Sequence, residues 1–247
     1  MPRLTTFRAP GASVLVAAGA ALALSSGALA GPSAGTNANA RELAVPMPAA
    51  GELTVMSAVA RATPSPSGKR MLVLHQFRPD FRRQEVLAVA KAVGADGKVW
   101  YRLSLPMRPN NSYGWVPARK LDVHPVRNRI LIRLDARKLE VLRGNKVLYR
   151  TTVAVGRPGM ETPTGHYYVQ VRFHPDDPFL GVFAFETSAY SKLTEWPGGG
   201  VVGIHGTSAP QLLGQAVSHG CVRMSNEAAL VLKRLVPLGT PITIVQA

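Results

Sequence analysis

The stretch ILIRLDARKLEVLRGNKVLYRTTVAV, residues 130–155, carries the clearest indication of the fold. It consists of three runs rich in Ile, Leu and Val, separated by the turn-forming sequences DAR (135–137) and GN (144–145). Short apolar runs joined by turn residues are typical of strands connected by tight turns. The stretch therefore predicts three strands. The 20 prolines and 23 glycines of the chain likewise favour short strands over long helices.

The rest of the C-terminal half continues this pattern. Further strands are expected at Tyr167–Phe173, 201–204 and 241–245. One helix is expected from Asn226 to Val236, because Ser225 is a favourable N-cap and Pro237 and Gly239 end the helical pattern. The segment 174–200 begins with HPDDP, ends with WPGGG and carries Glu186 and Glu195. We expect it to be a long irregular lid or binding wall.

The N-terminal half, residues 51–125, also indicates short strands. Residues 86–93 and 98–105 flank Ala95-Asp96-Gly97, and Asp-Gly between apolar runs predicts a hairpin. Strands at this spacing predict a small barrel. The run GWVPARKL (114–121) resembles the last strands of bacterial SH3-like domains. The fold class expected from the sequence is therefore mainly β, in two parts, with one principal helix.

The first thirty residues have the features of a secretion signal. Arg3 and Arg8 precede an apolar stretch, and Ala28-Leu29-Ala30 supplies the small-x-small pattern of a cleavage site. We expect export to the periplasm or cell wall with cleavage after Ala30, and the alternative is an uncleaved membrane anchor. Residues 31–50 have the composition of a linker.

The formal net charge is +15, from 29 basic and 14 acidic side chains. A basic surface attracts polyanions, such as nucleic acid, anionic lipid or anionic wall polymers. Export makes nucleic acid the least expected of these partners, and the sequence has no nucleic-acid-binding motif. Anionic wall polymers are the alternative partners, but charge spread over a solvated surface is the preferred explanation of the composition.

Two short segments concentrate reactive side chains: IHGT (204–207) and SHGCVRM (218–224). The single cysteine, Cys221, cannot form an internal disulfide, and its thiol becomes a nucleophile only when an imidazole lies close enough to take its proton. His205 and His219 are the candidates for that imidazole. If 218–224 is extended, His219, Cys221 and Arg223 share one face of the strand. The amides of Gly220 and Cys221 would then be free to form an oxyanion hole.

HGT followed by SHGCVRM, together with TPTG (162–165), resembles the signature of the L,D-transpeptidase family with the YkuD-type catalytic domain. The resemblance covers about residues 127–246 and implies a YkuD-type mixed β-sandwich over the predicted domain 126–247. It implies that Cys221 is the nucleophile and that His205 accepts its proton. It also implies supporting roles for other residues of the two segments: His219 and Gly220 in the oxyanion pocket, Ser218 in the loop, and Arg223, Gly206 and Thr207 towards substrate.

The resemblance also implies the reaction. Cys221 would attack the carbonyl after the third residue of a peptidoglycan stem tetrapeptide, and the terminal D-Ala would leave. An amine of a neighbouring stem then takes the thioester, giving a 3→3 crosslink, or water takes it, giving carboxypeptidase activity. Carbapenem-type β-lactams would acylate the same sulfur, and no cofactor is expected.

Three other interpretations remain open from the residues. His205, His219 and Cys221, with His174 more distant, could bind zinc, but the paired spacing of structural zinc sites is missing. The chain could be a non-catalytic wall-binding protein whose SH3-like half does the binding. It could also be a general cysteine protease.

Overall fold

The computed structural model describes residues 34–195 and 197–246, so the predicted signal segment lies outside the described residues. No helix in these ranges is long and apolar enough to cross a bilayer. The described chain forms a seven-stranded sheet, an eight-stranded sheet and a small two-stranded pair, with two α-helices. The prediction of a mainly β protein is confirmed.

The first sheet is antiparallel throughout. Its strands, in chain order, are β1 (Ala49–Leu53), β2 (Ser57–Arg61), β3 (Arg70–His75), β4 (Glu85–Val93), β5 (Val99–Ser104), β6 (Tyr113–Pro117) and β7 (Leu121–Pro125). They lie side by side in the order β3-β2-β6-β5-β4-β1-β7. The predicted hairpin at Asp96-Gly97 joins β4 to β5, and Gly97 adopts the positive φ of 70° that its turn requires. The SH3-like assignment of this half stays a prediction.

The segment before β1 differs from the predicted linker. Residues 34–44 form helix α1 (Ala34–Ala44), and Ala49 and Ala50 are fully buried in β1. Alanine favours helix, and contacts with the first sheet hold the helix in place. The Tyr101 hydroxyl donates to the carbonyl of Glu42 at 2.7 Å, and Lys91 donates to the carbonyl of Val45 at 2.7 Å.

The second sheet is mixed. Its strands and those of the small pair are β8 (Asn128–Arg133), β9 (Lys138–Arg143), β10 (Lys146–Thr152), β11 (Val155–Gly156), β12 (Gly165–Phe173), β13 (Ala184–Tyr190), β14 (Val201–His205), β15 (Ala216–Ser218), β16 (Val222–Arg223) and β17 (Pro241–Val245). The eight-stranded order is β10-β9-β8-β17-β12-β13-β14-β16, and β11 pairs with β15. The pairs β8–β17 and β14–β16 are parallel.

The strands predicted from 130–155 are β8, β9 and β10, and the other three predicted strands are also confirmed. Helix α2 (Asn226–Leu235) begins after Ser225, whose Oγ accepts a hydrogen bond from the Ala228 amide at 3.2 Å. Segment 174–200 was expected to be irregular throughout, and this is wrong because β13 runs through its middle. Its sequence AFETSAY mixes small, polar and aromatic residues, and most of them are buried on both faces, so it lacks the alternation that marks a half-buried strand.

Buried and polar contacts join the two sheets. Ala50 and Leu87 of the first sheet pack with Tyr168 of the second in one buried cluster. The Tyr168 hydroxyl donates to the backbone carbonyl of Glu85 at 3.2 Å. Asn110, in the turn before β6, exchanges two hydrogen bonds with the backbone of Tyr190 at 2.7 and 3.0 Å.

Candidate active site

The parallel ladder between β14 and β16 places the reactive residues. Ile204 pairs with Val222 and His205 with Arg223. Ile204, Val222 and Met224 are completely buried in the hydrophobic core, so the residues that alternate with them face the opposite side of the sheet. The backbone does not run straight from 218 to 224, as one extended strand would. It turns at Gly220, whose φ of 118° is unfavourable for residues with a side chain.

Gly203 brings the sulfur of Cys221 and the ring of His205 to the same side of the sheet. Its amide donates a hydrogen bond to Cys221 Sγ at 3.3 Å. A Cβ atom built on Gly203 would lie 3.7 Å from that sulfur and 3.6 Å from His205 Cδ2. Both reactive groups therefore border the space that Gly203, which has no side chain, leaves open.

The tautomer of His205 is fixed by the backbone. Its Nδ1 lies 2.6 Å from the carbonyl oxygen of Gly206, and this contact requires a hydrogen on Nδ1. Nε2 is then unprotonated and can accept a proton. Burial lowers the pKa of His205 to about 4, since the residue is only 2% exposed. The imidazole is therefore neutral at neutral pH.

Burial acts in the opposite direction on the sulfur. It raises the pKa of the Cys221 thiol, while the Gly203 amide and the charge of Arg223 lower it by smaller amounts. Before reaction, the pair is accordingly a neutral thiol and a neutral imidazole. The proton passes from Cys221 to His205 only during the reaction step.

The loop before the cysteine is held by two hydroxyl groups. Ser218 Oγ donates to the Cys221 carbonyl at 2.6 Å and accepts from the Gly220 amide at 3.1 Å. Thr162 Oγ1 donates to the Gly220 carbonyl at 2.9 Å. The Gly220 amide is therefore already engaged, contrary to the expectation that it is free for an oxyanion. Of the two amides considered, that of Cys221 remains the candidate.

Arg223 lies over the ring of Phe179, with its guanidinium carbon 4.5 Å from the ring centroid. The residue is only 7% exposed, and its buried Nε has no hydrogen-bond partner among the described residues. Because Arg223 lines the cavity beside Cys221, its positive charge is suited to an anionic group of a ligand. His205, His219, Cys221 and Arg223 line one common cavity, so the structure brings these four together.

Two of the predicted substrate residues do not line that cavity or the one next to it. Gly206 instead supplies the carbonyl that orients His205. Thr207 is 3% exposed, and its Oγ1 accepts a hydrogen bond from the Ala209 amide at 3.0 Å, which stabilises the turn after β14.

Sequence reasoning missed several residues of the site. Gly203 acts through its amide and its missing side chain, neither of which has a sequence signature. Phe179 and Leu180, in a short 3-10 turn, cover the site, and Asp177 caps that turn through the Phe179 amide at 2.9 Å. The HPDDP motif, which contains Asp177, and the expectation of a lid over 174–200 indicate this turn without singling out Phe179 and Leu180.

No group of three or more His, Cys, Asp or Glu side chains that could hold a metal ion occurs in the part of the chain that the structure describes. His174 instead contacts the Val182 carbonyl through Nδ1 and Lys233 through Nε2, each at 3.0 Å.

The chain is similar to known proteins of one family. The YkuD family model, described as the L,D-transpeptidase catalytic domain, matches residues 127–244. A Bacillus licheniformis protein named "Putative L,D-transpeptidase YkuD" is 30% identical over 162 residues, which are 62% of this chain and 92% of that protein. Its Bacillus subtilis namesake is 29% identical over 160 residues, 62% of this chain and 91% of that protein.

Among solved structures, L,D-transpeptidase 3 from Mycobacterium tuberculosis is similar with a TM-score of 0.43 and 15% identity, covering 66% of this chain and 92% of that one. Most of the length of each Bacillus protein aligns with this chain. The protein belongs to the L,D-transpeptidase family with the YkuD-type catalytic domain.

Proposed function

We propose that this protein is an exported peptidoglycan L,D-transpeptidase that forms 3→3 crosslinks through a thioester on Cys221. The observation that carries the proposal is the position of Cys221 Sγ and the His205 ring, which both border the space at Gly203 and line one cavity. The Gly206 carbonyl supports the same role, because it keeps His205 Nε2 available as a proton acceptor.

In the first half-reaction, a stem tetrapeptide binds with the carbonyl of its third residue against Cys221. His205 takes the thiol proton as the sulfur attacks, and the Cys221 amide donates to the developing oxyanion. The protonated imidazole then gives its proton to the leaving D-Ala amine. Because both groups rest in the neutral state, no charged pair has to be maintained in a desolvated site before substrate arrives.

In the second half-reaction, an amine of a neighbouring stem attacks the thioester. The carbon–sulfur bond breaks, the sulfur leaves as thiolate, and His205 receives the amine proton before returning it to the sulfur. Attack by water on the same thioester would give L,D-carboxypeptidase products instead.

Two measurements test the proposal. Intact mass spectrometry after incubation with a carbapenem should show one covalent adduct on the wild type and none on Cys221→Ala. Muropeptide analysis with purified enzyme should show 3→3 crosslinked dimers. A wild type that acquires no adduct, although a thiol reagent reaches Cys221, would overturn the proposal in favour of a non-catalytic wall-binding protein. Equal turnover of an all-L peptide would favour a general cysteine protease.

A further inference from the structure

A carboxylate outside the predicted site faces the same space as the nucleophile. Glu186 of β13 is the direct cross-strand partner of Gly203 in β14. Directly opposed residues of an antiparallel pair project to the same face, with Cβ atoms about 5 Å apart. Cys221 Sγ lies on the other side of Gly203, 3.7 Å from the position of its absent Cβ. Glu186 and Cys221 thus lie on either side of the space that Gly203, which has no side chain, leaves open.

The first sheet holds this carboxylate in place. Arg78, in the loop after β3, donates from Nη2 to Glu186 Oε2 at 2.6 Å. The Arg78 side chain is 18% exposed and the Glu186 side chain 31% exposed, so the pair is partly shielded from water. Only Oε2 is used in this bond, and Oε1 keeps its capacity to accept hydrogen bonds from a ligand.

The pair borders the space in which the second half-reaction would occur. One cavity of about 270 Å³ is lined by Arg78, Glu186, Gly203, His205 and Cys221, among other residues. A group held by Glu186 on one wall of that cavity has an open path across Gly203 to an acyl group on the sulfur. The unused Oε1 of Glu186 can accept a charge-assisted hydrogen bond from a cation, and an ammonium is the cation that the proposed reaction requires.

We propose that Glu186 binds the acceptor ammonium and that Arg78 is the positioning residue that orients Glu186. The inference rests on the proposed function, because it assigns the acceptor side of that same site. Its consequence is specificity: Glu186 favours an amine over water as the group that takes the acyl chain from Cys221.

The acceptor ammonium loses two protons during the transfer. The bound ammonium first loses one proton through the Glu186 carboxylate to solvent, leaving a neutral amine. The amine nitrogen forms its bond to the thioester carbon while the carbon–sulfur bond breaks and the electron pair stays on sulfur. His205 takes the second amine proton and passes it to the thiolate, restoring the thiol. The net change is thioester plus ammonium to amide, thiol and one proton.

A purely structural role for the ion pair has a different consequence. Arg78 and Glu186 also join the loop after β3 to the second sheet, so their loss could lower stability. That would reduce the amount of active enzyme but would leave unchanged how each acyl-enzyme divides between amine and water. The ratio of the two products therefore distinguishes the two roles.

The experiment uses purified full-length protein, a stem tetrapeptide as acyl donor, and as acceptor a stem peptide with a free amine at its third residue. Crosslinked and hydrolysed products are measured for wild type, Glu186→Gln, Arg78→Gln and Arg78→Lys. Glu195→Gln is the matched control, since it removes an exposed carboxylate of the same segment that does not line the cavity. Carbapenem acylation of Cys221 is measured in parallel.

We expect Glu186→Gln to lower the crosslinked-to-hydrolysed ratio about ten- to a hundredfold, the effect of losing one charge-assisted hydrogen bond. Arg78→Gln should lower the crosslinked-to-hydrolysed ratio less than Glu186→Gln does. Arg78→Lys should keep part of the ratio that Arg78→Gln loses, and Glu195→Gln should leave the ratio unchanged. An unchanged ratio in Glu186→Gln overturns this inference while leaving the Cys221 thioester intact. A wild type that acylates but never transfers to an amine overturns it too, and a wild type without acylation removes both proposals.

Discussion

The two sheets contribute to the candidate site in different ways. The second sheet supplies the two groups that would exchange protons, the Cys221 thiol and the His205 imidazole. Burial in this sheet keeps both of them neutral. The first sheet supplies long side chains that reach across to backbone and carboxylate oxygens of the second, as Arg78 and Arg108 do. The reactivity of Cys221 and His205 thus depends on their desolvation within the second sheet. The shape of the cleft, meaning the cavities that these two residues line, depends on contacts between the two sheets. Removing groups from either sheet tests this division.

The largest effect is expected from Cys221→Ala. Turnover should fall by at least about 10⁴-fold, because a covalent route has no substitute for its nucleophile. The change is small and removes one hydrogen bond to sulfur, so the free energy of unfolding should change by only about 1 kcal/mol. Intact mass with a carbapenem and thermal denaturation measure the two quantities. A residual adduct on the variant would show that the nucleophile is another group.

The pH dependence of Cys221 acylation should show the desolvation of His205. Neutral imidazole is the active form, and its pKa is lowered to about 4 by burial. The acylation rate should therefore fall only as the pH drops through about 4. At pH 5.5 an imidazole with the ordinary pKa of about 6.5 would already be roughly 90% protonated and the rate about tenfold lower. An acid limb centred near 6.5 would contradict the buried neutral base.

Arg108→Ala should give a smaller loss and tests the contribution of the first sheet. Arg108 donates to the carbonyls of Ser191 and Gly199, at 3.0 Å each, and stacks on Tyr190. These contacts hold Ser191, which lines the cavity at Cys221, and Gly199, whose neighbour Gly198 lines the adjoining cavity. We expect kcat/KM for the stem peptide to fall about tenfold, mainly through a higher KM.

Arg102→Ala is the matched control for Arg108→Ala. Arg102 is exposed on β5 and stacks on Tyr113 of the same sheet, with 4.3 Å from its guanidinium carbon to the ring centroid. Its removal should leave both kinetic constants unchanged. Equal effects of the two substitutions would mean that the first sheet does not shape the cleft.

The smallest effect on catalysis, but a clear one on stability, is expected from Glu85→Gln. Burial, with Glu52 nearby, raises the pKa of Glu85 to about 8. Between about pH 4.5 and 8 the folded protein holds a proton that the unfolded chain releases, so stability is lost as the pH rises through this window. The loss should be on the order of a few kcal/mol, and Gln, which stays neutral, should remove it.

Urea denaturation at pH 5 and pH 8.5 measures this difference. Glu195→Gln again serves as control, because its exposed carboxylate should leave the pH dependence as it is in the wild type. Parallel pH dependence in wild type and Glu85→Gln would show that Glu85 is ionised in the folded protein.

Much of the second sheet could be predicted because its strands alternate or carry turn signals. The 130–155 region and helix α2 are examples, with bounds close to those expected. Strand β13 escaped prediction because polar and apolar residues are buried on both of its faces, so its sequence does not alternate. Residue types and their resemblance to a family led to the prediction of Cys221 and His205 as the reactive pair. The Gly206 carbonyl and the Gly203 amide could not be found in this way, because every residue has these groups.

The contributions of the first sheet had no local signal at all. Arg78 and Glu186 are 108 positions apart, and Arg108 and Ser191 are 83 apart. Each is an ordinary residue in its own segment, and its role depends on how the two sheets pack. Predicting such pairs requires the tertiary arrangement, which periodicity within a strand does not contain.

Tyr168 has a practical consequence for anyone who trims the chain. It is fully buried between Ala50 and Leu87, and its hydroxyl bonds to the first sheet. A fragment cut after residue 125 would keep the sequence signature but expose this phenol ring to water and leave the carbonyls of Ser191 and Gly199 without Arg108. Poor kinetics or aggregation of such a fragment would then report the missing half rather than a defective nucleophile.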